Sequence, residues 1–493
     1  MSEKDFSAAL REFAQVVGSD WVLSSEQDLD GYCDEFGPYR GTPQEVIPGA
    51  AVAPDDTRAV QEIVRIANQY RVPLWVISGG RNYGYGGAAP RLAGSVVLDL
   101  KRMNRILEVN EQHAYALVEP GVSSMDLYNH IQAKGYKLWM DGPSPGWASI
   151  VGSTLERALG HGLLPERWNY QCGMEVVLPD GDLIRTGMGA IPGSQTWQQY
   201  KWGFGPYVDG LFSQSNLGIV TKLGTWLMPE PPATLFGIVT APRQEDLITL
   251  IDTIRPLRLS GILTSAGFAR IDPQGDGGAT GRGGARATVS IYGPEKVIGA
   301  HWDQVQEICA VIPGVRFDVE RYAAPYDTAP MSDLNKRRHC VMSMAERKSW
   351  DHGFMYLSHL VPFDGKAAWK MMQVFDGIYQ QHGLRFRGGF STGNSSRALM
   401  CSQRGGFVRK GDAEFNRKSM DLVRRVTVDG GRQGYGVYRI TTVFMDEAMA
   451  AFDFNDGALR RFHETLKDAL DPNGILAAGK SGIWPEYLRG SKS

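Results

Sequence analysis

The stretch PLWVISGGRNYGYGG, residues 73 to 87, decides how the N-terminal part of this chain is interpreted. The apolar run at its start predicts a buried strand, and five glycines follow between positions 79 and 87, with two tyrosines and one arginine among them. Glycine lets a ligand approach the backbone closely, and successive inward N–H groups form an anion-binding nest. The stretch therefore predicts a loop around an anionic group; a flexible surface turn is the plainer alternative.

The common phosphate-binding motifs do not fit this loop. GGRNYG lacks the GK[ST] ending of a Walker A motif. A GxGxxG fingerprint would be followed by a helix, whereas AAPRLAGSVVLDL is typical of a turn and a strand. The loop closes a strand-helix-strand unit that begins at AVAPDDTRAVQEIV, and this position favours a pyrophosphate cradle of another type.

Composition limits the class of protein. With 493 residues, two or three domains are expected. A net charge of -2 offers no basic surface for nucleic acid. The five cysteines are scattered without CxxC spacing, which argues against a zinc site or a disulfide scaffold. The charged N-terminal helix has no signal-like apolar segment, and no long apolar run predicts a membrane span. We expect a reduced, soluble, cytoplasmic protein.

Local signals place several elements. Residues 5–17 predict an amphipathic helix, and Asp55 or Asp56 is expected to cap the helix that follows the first strand. MEVVLPDGDLIRTG predicts a hairpin that turns at Asp180-Gly181. A proline-rich stretch near residue 233 marks a domain boundary, and two strand-helix alternations follow it.

Six long motifs carry a family resemblance. They are, in chain order, SGGRNYGYGGAAPRL, LDLKRMNRILEVNEQHAYALVEPGV, VGSTLERALGHG, GMEVVLPDGDLIRTGMGAIPG, FGPYVDGLFSQSNLGIVTK and ALDPNGILAAGKSGIW. Together they resemble the family of vanillyl-alcohol oxidase and the p-cresol methylhydroxylase flavoprotein subunit. The likeness covers most of residues 40–235 and 430–485, and the middle matches loosely.

The resemblance implies an α+β, two-domain flavoprotein. Residues 1–233 would form an FAD-binding domain of the p-cresol methylhydroxylase type, with two α/β subdomains. Residues 234–437 would form a substrate (cap) domain of a sheet plus helices, and 438–493 would return to the FAD domain and active site. The implied FAD-binding residues are Ser78, Gly79, Gly80, Arg81, Asn82, Tyr83, Gly152, Ser153, Asn216 and Ile219.

The resemblance also implies para-alkyl phenols as substrates. Hydride would pass from the benzylic carbon to flavin N5, and a deprotonated para-hydroxyl would turn the resulting cation into a neutral quinone methide. Donors fixed around the phenolic oxygen would stabilise this charge, and the family positions match Tyr85, Tyr438 and Arg439. Lys480 matches a basic family position near the flavin pyrimidine or the phenolate, and a solvated loop lysine is the alternative.

Two positions depart from the family's oxidases. Ser144, in GPSPGWAS, stands where they place an aspartate beside N5, and the methylhydroxylases look like this chain there. This favours a dehydrogenase or hydroxylase with a cytochrome c or another electron acceptor over an oxygen-using oxidase. Their flavin-linking histidine has no equivalent in SWDHGFMYLSHLVP, where Tyr356 is the candidate for an O-tyrosyl link. Non-covalent FAD remains open.

Substrate and partners are predicted less directly. The stretch GNSSRALMCSQ replaces a bulkier family motif at the pocket wall, from which we expect room for lignin-type phenols. Family habit predicts a homodimer. The alternatives are a flavin oxidoreductase of 2-hydroxy acids or sugars, and a non-catalytic nucleotide-binding module.

Overall fold

A computed structural model describes residues 2–141, 146–160, 162, 164–271, 283–332, 335–336, 353–386, 388–393 and 395–490. Within these ranges the strands form two sheets in the N-terminal half, a two-stranded ribbon and one large sheet in the C-terminal half. The ribbon joins β7 (Leu138–Trp139) to β11 (Met228–Pro229).

The first sheet contains the strand that leads into the glycine-rich loop. Its order is β1-β2-β4-β3, and the last three strands are parallel. Short apolar runs form these strands because helices cover them. The elements are β1 (Val22–Leu23), β2 (Ala50–Val52), β3 (Leu74–Ile77), β4 (Val96–Asp99), α1 (Glu3–Val17), α2 (Glu26–Asp30) and α3 (Thr57–Tyr70).

The second sheet is antiparallel throughout, with the order β5-β6-β10-β8-β9. It carries its own apolar core, in which Leu127 and Ile131 of a helix pack against Val118 and Met174. The elements are β5 (Ile106–Asn110), β6 (Tyr115–Val118), β8 (Gln171–Val177), β9 (Leu183–Arg185), β10 (Ile219–Trp226), α4 (Ser124–Lys134) and α5 (Ile150–Leu155).

The large sheet has eight antiparallel strands in the order β15-β12-β14-β13-β17-β18-β16-β19. Four helices pack against it and share one core. The strands are β12 (Ala233–Ala241), β13 (Ser265–Ile271), β14 (Gly284–Gly293), β15 (Arg316–Ala323), β16 (Gly353–Pro362), β17 (Gly388–Ser391), β18 (Ala398–Val408) and β19 (Val437–Ile440). The helices are α6 (Asp246–Leu259), α7 (Glu295–Cys309), α8 (Gly365–Gln381) and α9 (Ala413–Arg432).

The C-terminal segment joins both halves of the molecule. It adds β19 beside β16 in the large sheet, and Leu74 of β3 exchanges backbone hydrogen bonds with Ile475 (2.6 Å) and Ala477 (2.7 Å). The remaining helices are α10 (Met445–Ala450), α11 (Phe454–Leu470) and α12 (Glu486–Arg489). Within α11, residues 455–457 are left-handed.

The predicted α+β class is confirmed, as are the local elements expected from sequence. Asp56, rather than Asp55, caps α3 through the N–H of Ala59, and the hairpin β8–β9 turns at Gly181 with φ of 86°. Among the helices of the described ranges, none combines the length and apolar character needed to cross a bilayer. The domain limits at 233 and 437 stay a prediction.

Candidate active site

The loop after β3 has two halves with different surroundings. A Cβ atom added at Gly79 would meet nothing within 4 Å, so the loop is open at this position, whereas one at Gly80 would lie 3.0 Å from the Ala88 Cβ. A Cβ at Gly84 would lie 2.5 Å from the Phe354 ring, and one at Gly86 would lie 2.4 Å from Thr442 Oγ1. Both of these residues also have positive φ, 78° and 106°. The second half therefore needs glycine to pack against the large sheet, a reason that the sequence did not reveal.

The alternation of β16 presents one set of side chains to this loop. Met355 and Leu357 belong to the core beneath the helices, so Tyr356 and Ser358 point to the other face. The Gly84 carbonyl accepts a 2.8 Å hydrogen bond from the Tyr356 N–H. The loop is thus fixed directly onto the strand that carries Tyr356.

Tyr85 lies at the centre of the resulting group. Its ring stacks on Tyr356 with centroids 5.3 Å apart, its hydroxyl lies 3.5 Å from Ser358 Oγ, and the Arg439 guanidinium carbon lies 4.0 Å from its ring centre. Burial raises the pKa of Tyr85, and Arg439 and Ser358 oppose this without cancelling it. Tyr85 consequently keeps its proton and can donate a hydrogen bond.

Arg439 reaches the loop from β19, where it pairs with Ser358 of β16. Its Nη2 donates to Asn82 Oδ1. Its Nε is buried and has no hydrogen-bond partner in the described part of the chain, and it lies 3.8 Å from Glu156 Oε2. A buried N–H of a permanent cation is thus available to an acceptor that enters the site.

Tyr438 precedes Arg439 on the same short strand and is half-buried. Its backbone carbonyl accepts a 2.9 Å hydrogen bond from Gln214 Nε2. The strand that carries both predicted phenol-binding residues is therefore held from two sides, by β16 and by the Gln214 side chain.

Lys480 lies in the turn Lys480–Gly482 and forms an ion pair with Glu156 Oε1. Burial raises the pKa of the Glu156 carboxyl, but Lys480 and Arg439 outweigh this effect and hold it below its ordinary value. One ionised carboxylate therefore stands between the two cations that the sequence analysis singled out separately.

Aromatic side chains form the wall beside the loop. Tyr83 packs edge-on against Phe36 at 5.0 Å and Trp147 at 5.4 Å, and the Arg81 guanidinium lies 5.5 Å from the Trp147 ring centre. Phe36 stacks on Phe354 at 5.6 Å. This wall offers aromatic faces and edges, which suit contact with another aromatic group.

The other predicted cofactor residues fall into two groups. A Cβ on Gly152 would clash with Ser78 Oγ, so Ser78, Gly152 and the adjacent Ser153 come together beside the start of the loop. Asn216 is instead buried and donates to the carbonyls of Ala477 (3.2 Å) and Ile483 (3.0 Å), and Ile219 belongs to the core beneath the first sheet. Ser144 lies outside the described residues.

The sequence analysis missed Glu156, Gln214 and Ser358. Glu156 lay within the quoted motif VGSTLERALGHG, but a glutamate in a helical pattern is usually a solvated residue. Left-handed backbone conformations at non-glycine residues mark the same place: Arg157, Gln214, Ala477 and Ser481 have φ between 37° and 54°. Such strain clusters at functional sites, but it cannot be read from sequence.

Comparisons with known proteins show which families and structures this chain is similar to. The FAD binding domain family model matches residues 48–187. The 4-cresol dehydrogenase [hydroxylating] flavoprotein subunit of Pseudomonas putida is 31% identical and aligns over 98% of this chain and 96% of its own. The structure of 4-ethylphenol oxidase from Gulosibacter chungangensis is 34% identical with a TM-score of 0.89 and covers 99% of both chains. That of p-cresol methylhydroxylase with substrate bound is 30% identical with a TM-score of 0.89 over 98% of both.

The fold and the site define a flavoprotein oxidoreductase with an FAD-binding domain of the p-cresol methylhydroxylase type. Within that class, the chain belongs to the family of FAD-dependent 4-alkylphenol oxidoreductases that includes vanillyl-alcohol oxidase and p-cresol methylhydroxylase. The resemblance expected from the quoted motifs is confirmed.

The described residues fit the cofactor of this family. The open backbone at Gly79, the neighbouring Ser78 and Gly152, and the aromatic wall are of the kinds that contact a dinucleotide with an aromatic ring system. The buried Arg439 Nε offers a donor beside it. The family resemblance implied Ser78, Gly79 and Gly152 as cofactor residues, whereas the aromatic wall and the packing of the loop on β16 were not predicted.

Proposed function

We propose that this protein binds FAD and oxidises para-alkyl phenols at the benzylic carbon. The observation that carries the proposal is the convergence of Tyr85 and Arg439 on one buried point, with Tyr438 adjacent on the same strand as Arg439. Tyr85 and Arg439 at one point match the need to hold a phenolic oxygen as an anion, and we assign Tyr438, the residue before Arg439, as a second tyrosine donor to that oxygen.

The chemistry follows from charge. Removal of hydride from the benzylic carbon leaves a cation, and a phenolate oxygen in the para position converts that cation into a neutral quinone methide. Arginine stays protonated at any physiological pH and favours the phenolate. Tyr85 is protonated because burial raises its pKa, so it would donate a hydrogen bond to the same oxygen. Fixed donors of this kind lower the barrier without reorganisation.

Bound FAD would supply the hydride acceptor, and the chain would position it. We assign the pyrophosphate to the first half of the loop, which is open at Gly79. The residues are Ser78, Gly79, Gly80, Arg81, Asn82 and Tyr83, with Gly152 and Ser153 beside them. Lys480 would place a positive charge near the ring that receives the hydride. Asn216 and Ile219 remain proposals for contacts along the ribityl chain. In the described structure Asn216 also anchors the C-terminal loop.

The proposal includes two modes of FAD attachment, covalent and non-covalent. Tyr356 is the candidate for a covalent O-tyrosyl link, and its ring stacks on Tyr85. Acid precipitation of the purified protein tests it: yellow pellet means covalent flavin, yellow supernatant means non-covalent FAD. A preparation that stays colourless after incubation with FAD would end the flavoenzyme proposal.

We further propose a cytochrome c or another protein as the electron acceptor rather than oxygen, on the ground of Ser144. The quinone methide would take up water to give a benzylic alcohol or rearrange to a vinyl phenol. Lignin-type phenols as substrates, a homodimeric assembly and a cytoplasmic location belong to the same proposal. Aerobic turnover that equals turnover with cytochrome c would contradict the choice of acceptor.

The decisive experiment mixes the FAD-loaded protein anaerobically with 4-ethylphenol and follows loss of flavin absorbance. We expect rapid reduction by 4-ethylphenol and by a dimeric lignin-type phenol, and none by glycolate or glucose. Reduction by glycolate alone would identify a 2-hydroxy acid oxidoreductase instead. Reduction by 4-ethylphenol but not by the dimer would remove only the lignin-type substrates.

A further inference from the structure

Three charged side chains from distant parts of the chain meet at one place. Glu156 of the segment after α5 contacts Lys480 through Oε1 and lies 3.8 Å from Arg439 Nε through Oε2. All three are largely buried, with side-chain exposures of 20%, 12% and 12%. Two cations and one carboxylate leave a single excess positive charge among these three side chains. Arg157, the next residue along, is exposed, and its charge also helps to lower the pKa of Glu156.

The anchors of the two cations differ. Arg439 is also held by Asn82 Oδ1 and by the face of Tyr85. In the described part of the chain, Lys480 Nζ has Glu156 as its one partner. Loss of the Glu156 charge would therefore release Lys480. Arg439 would stay in place, but its positive charge would no longer be partly neutralised by Glu156.

The backbone around Glu156 is built to hold this carboxylate. Gln214 donates from Nε2 to the carbonyl of Tyr438 at 2.9 Å, and its own carbonyl accepts the Ser481 hydroxyl at 2.6 Å. Gln214, Ser481 and Arg157 all have positive φ near 50°. Three residues with left-handed backbone, from three segments, thus fix the turns around the ion cluster, by which we mean Glu156, Lys480 and Arg439.

We propose that Glu156 is a positioning residue that fixes Lys480 toward the flavin and limits the positive charge of Arg439 toward the phenol. The inference rests on the proposed function, because it concerns how that site divides its charge. It assigns Glu156 two separable effects: one on the reaction through Lys480, and one on phenol ionisation through Arg439.

Because the two effects of Glu156 are separate, Glu156→Gln should favour ionisation of the bound phenol but slow the reduction of the flavin. The bound phenol should ionise more readily, with its apparent pKa lowered by roughly one pH unit, because a nearby negative charge is removed. Flavin reduction by 4-ethylphenol should nevertheless slow by about tenfold or more, because Lys480 loses its anchor. Glu156→Asp keeps the charge with a shorter reach, so the phenol pKa should stay close to that of the wild type while the rate falls less.

The test measures equilibrium binding of 4-nitrophenol, whose phenolate absorbs at longer wavelength and which has no alkyl carbon to oxidise. Its ionisation is titrated in the wild type, Glu156→Gln, Glu156→Asp and a control, Glu175→Gln. Glu175 is also a buried carboxylate between two cations, Lys222 at 2.8 Å and Arg185 at 2.9 Å, but it lies in β8 away from the site. We expect the control to leave the phenol pKa and the reduction rate unchanged.

Tighter phenolate binding together with slower reduction in Glu156→Gln supports the inference, since misfolding cannot improve binding. An unchanged phenol pKa in Glu156→Gln overturns it, whether or not activity falls. So does an equal shift in Glu175→Gln. If 4-ethylphenol does not reduce the flavin of the wild type, the proposed function itself fails. If 4-ethylphenol reduces the wild-type flavin and Glu156→Gln behaves like the wild type, only the inference about Glu156 fails.

Discussion

The guanidinium carbon of Arg439 lies 4.0 Å from the centre of the Tyr85 ring, although the two residues belong to opposite ends of the chain. A planar cation over an aromatic face is a favourable contact, and the Arg439 Nε stays buried without a hydrogen-bond partner among the described residues. In the proposed site, recognition of the phenol would depend on the orientation of a delocalised cation as well as on its charge.

We predict that Arg439→Lys will not preserve function. Lysine is a compact point charge that cannot lie flat on Tyr85 and also donate to Asn82. Flavin reduction by 4-ethylphenol should slow by at least about tenfold, or about 1.4 kcal/mol in the barrier, measured by anaerobic stopped-flow absorbance. A rate equal to that of the wild type would mean that charge alone suffices.

Tyr438→Phe should slow flavin reduction by one to two orders of magnitude, roughly 1.4–2.8 kcal/mol, because a donor to the phenolic oxygen is lost. Tyr435→Phe is the matched control, since Tyr435 packs on Phe375 in the core of the large sheet. Stopped-flow reduction of both variants checks this. Unchanged reduction in Tyr438→Phe would remove Tyr438 from the site.

The two halves of the glycine-rich loop should respond differently to alanine. Gly84→Ala brings a Cβ within 2.5 Å of Phe354 at a positive φ of 78°, so we expect a loss of about 2–4 kcal/mol in stability. Gly79→Ala meets nothing within 4 Å and should change the stability of the FAD-free protein by less than about 0.5 kcal/mol. Thermal unfolding of both FAD-free variants is the measurement, and equal losses would contradict the distinction.

Two lysine–carboxylate pairs with the same four-residue spacing test how burial changes the contribution of an ion pair to stability. Lys467 is fully buried and donates to Asp471 (2.6 Å) and to the carbonyls of Asn216 (2.9 Å) and Leu476 (2.6 Å). Lys467→Met should cost about 3–5 kcal/mol, because Asp471 is left as an uncompensated buried charge. Lys418→Met breaks an exposed pair with Glu414 and should cost at most about 1 kcal/mol.

Urea titration of the two methionine variants measures these losses as changes in the free energy of unfolding. Equal effects in both would show that the buried pair carries no special weight. Lys467 holds Asn216 and the C-terminal loop together. Lys467→Met should therefore weaken FAD binding, whereas Lys418→Met should not.

His359 should make the large sheet sensitive to acid. It is fully buried on Phe375, and Gln403 Nε2 donates to its Nδ1 at 3.0 Å. Burial lowers its pKa from 6.5 to about 3. The folded protein therefore binds fewer protons than the unfolded chain, and its stability is full above pH 6.5 and falls as the pH drops from 6.5 toward 3.

Below pH 6.5, His359 alone should lower the free energy of unfolding by about 1.4 kcal/mol for each unit by which the pH falls. Comparison of the unfolding free energy of the wild type and His359→Gln between pH 7 and pH 5 isolates it from the other groups. The variant should show the shallower loss. Parallel curves would mean that His359 is protonated in the folded state at pH 5.

Local signals in the sequence predicted the elements that depend on local chemistry. Asp56 caps α3 because its side chain reaches the N–H of Ala59, three residues on. Gly181 turns the hairpin because it adopts positive φ at no steric cost. Such features need only neighbouring residues, so a pattern of a few positions is sufficient to predict them.

The ion cluster and the loop packing could not be predicted in this way. Glu156 meets Lys480 and Arg439 only because three separate segments are folded against one another. Gly84 is tight only because Phe354 of β16 lies above it. The family motifs named Tyr85, Arg439 and Lys480 as separate residues, but their mutual arrangement is a property of the assembled sheets.

The C-terminal segment places a condition on how the protein is made. Arg439 enters the large sheet beside β16, and Ile475 and Ala477 bond to Leu74 in the first sheet. During synthesis the N-terminal part emerges first, so the glycine-rich loop must wait for residues 437–483 before Arg439 and Lys480 can approach it. A nascent chain that stalls before this segment would therefore carry the loop but neither of these two cations.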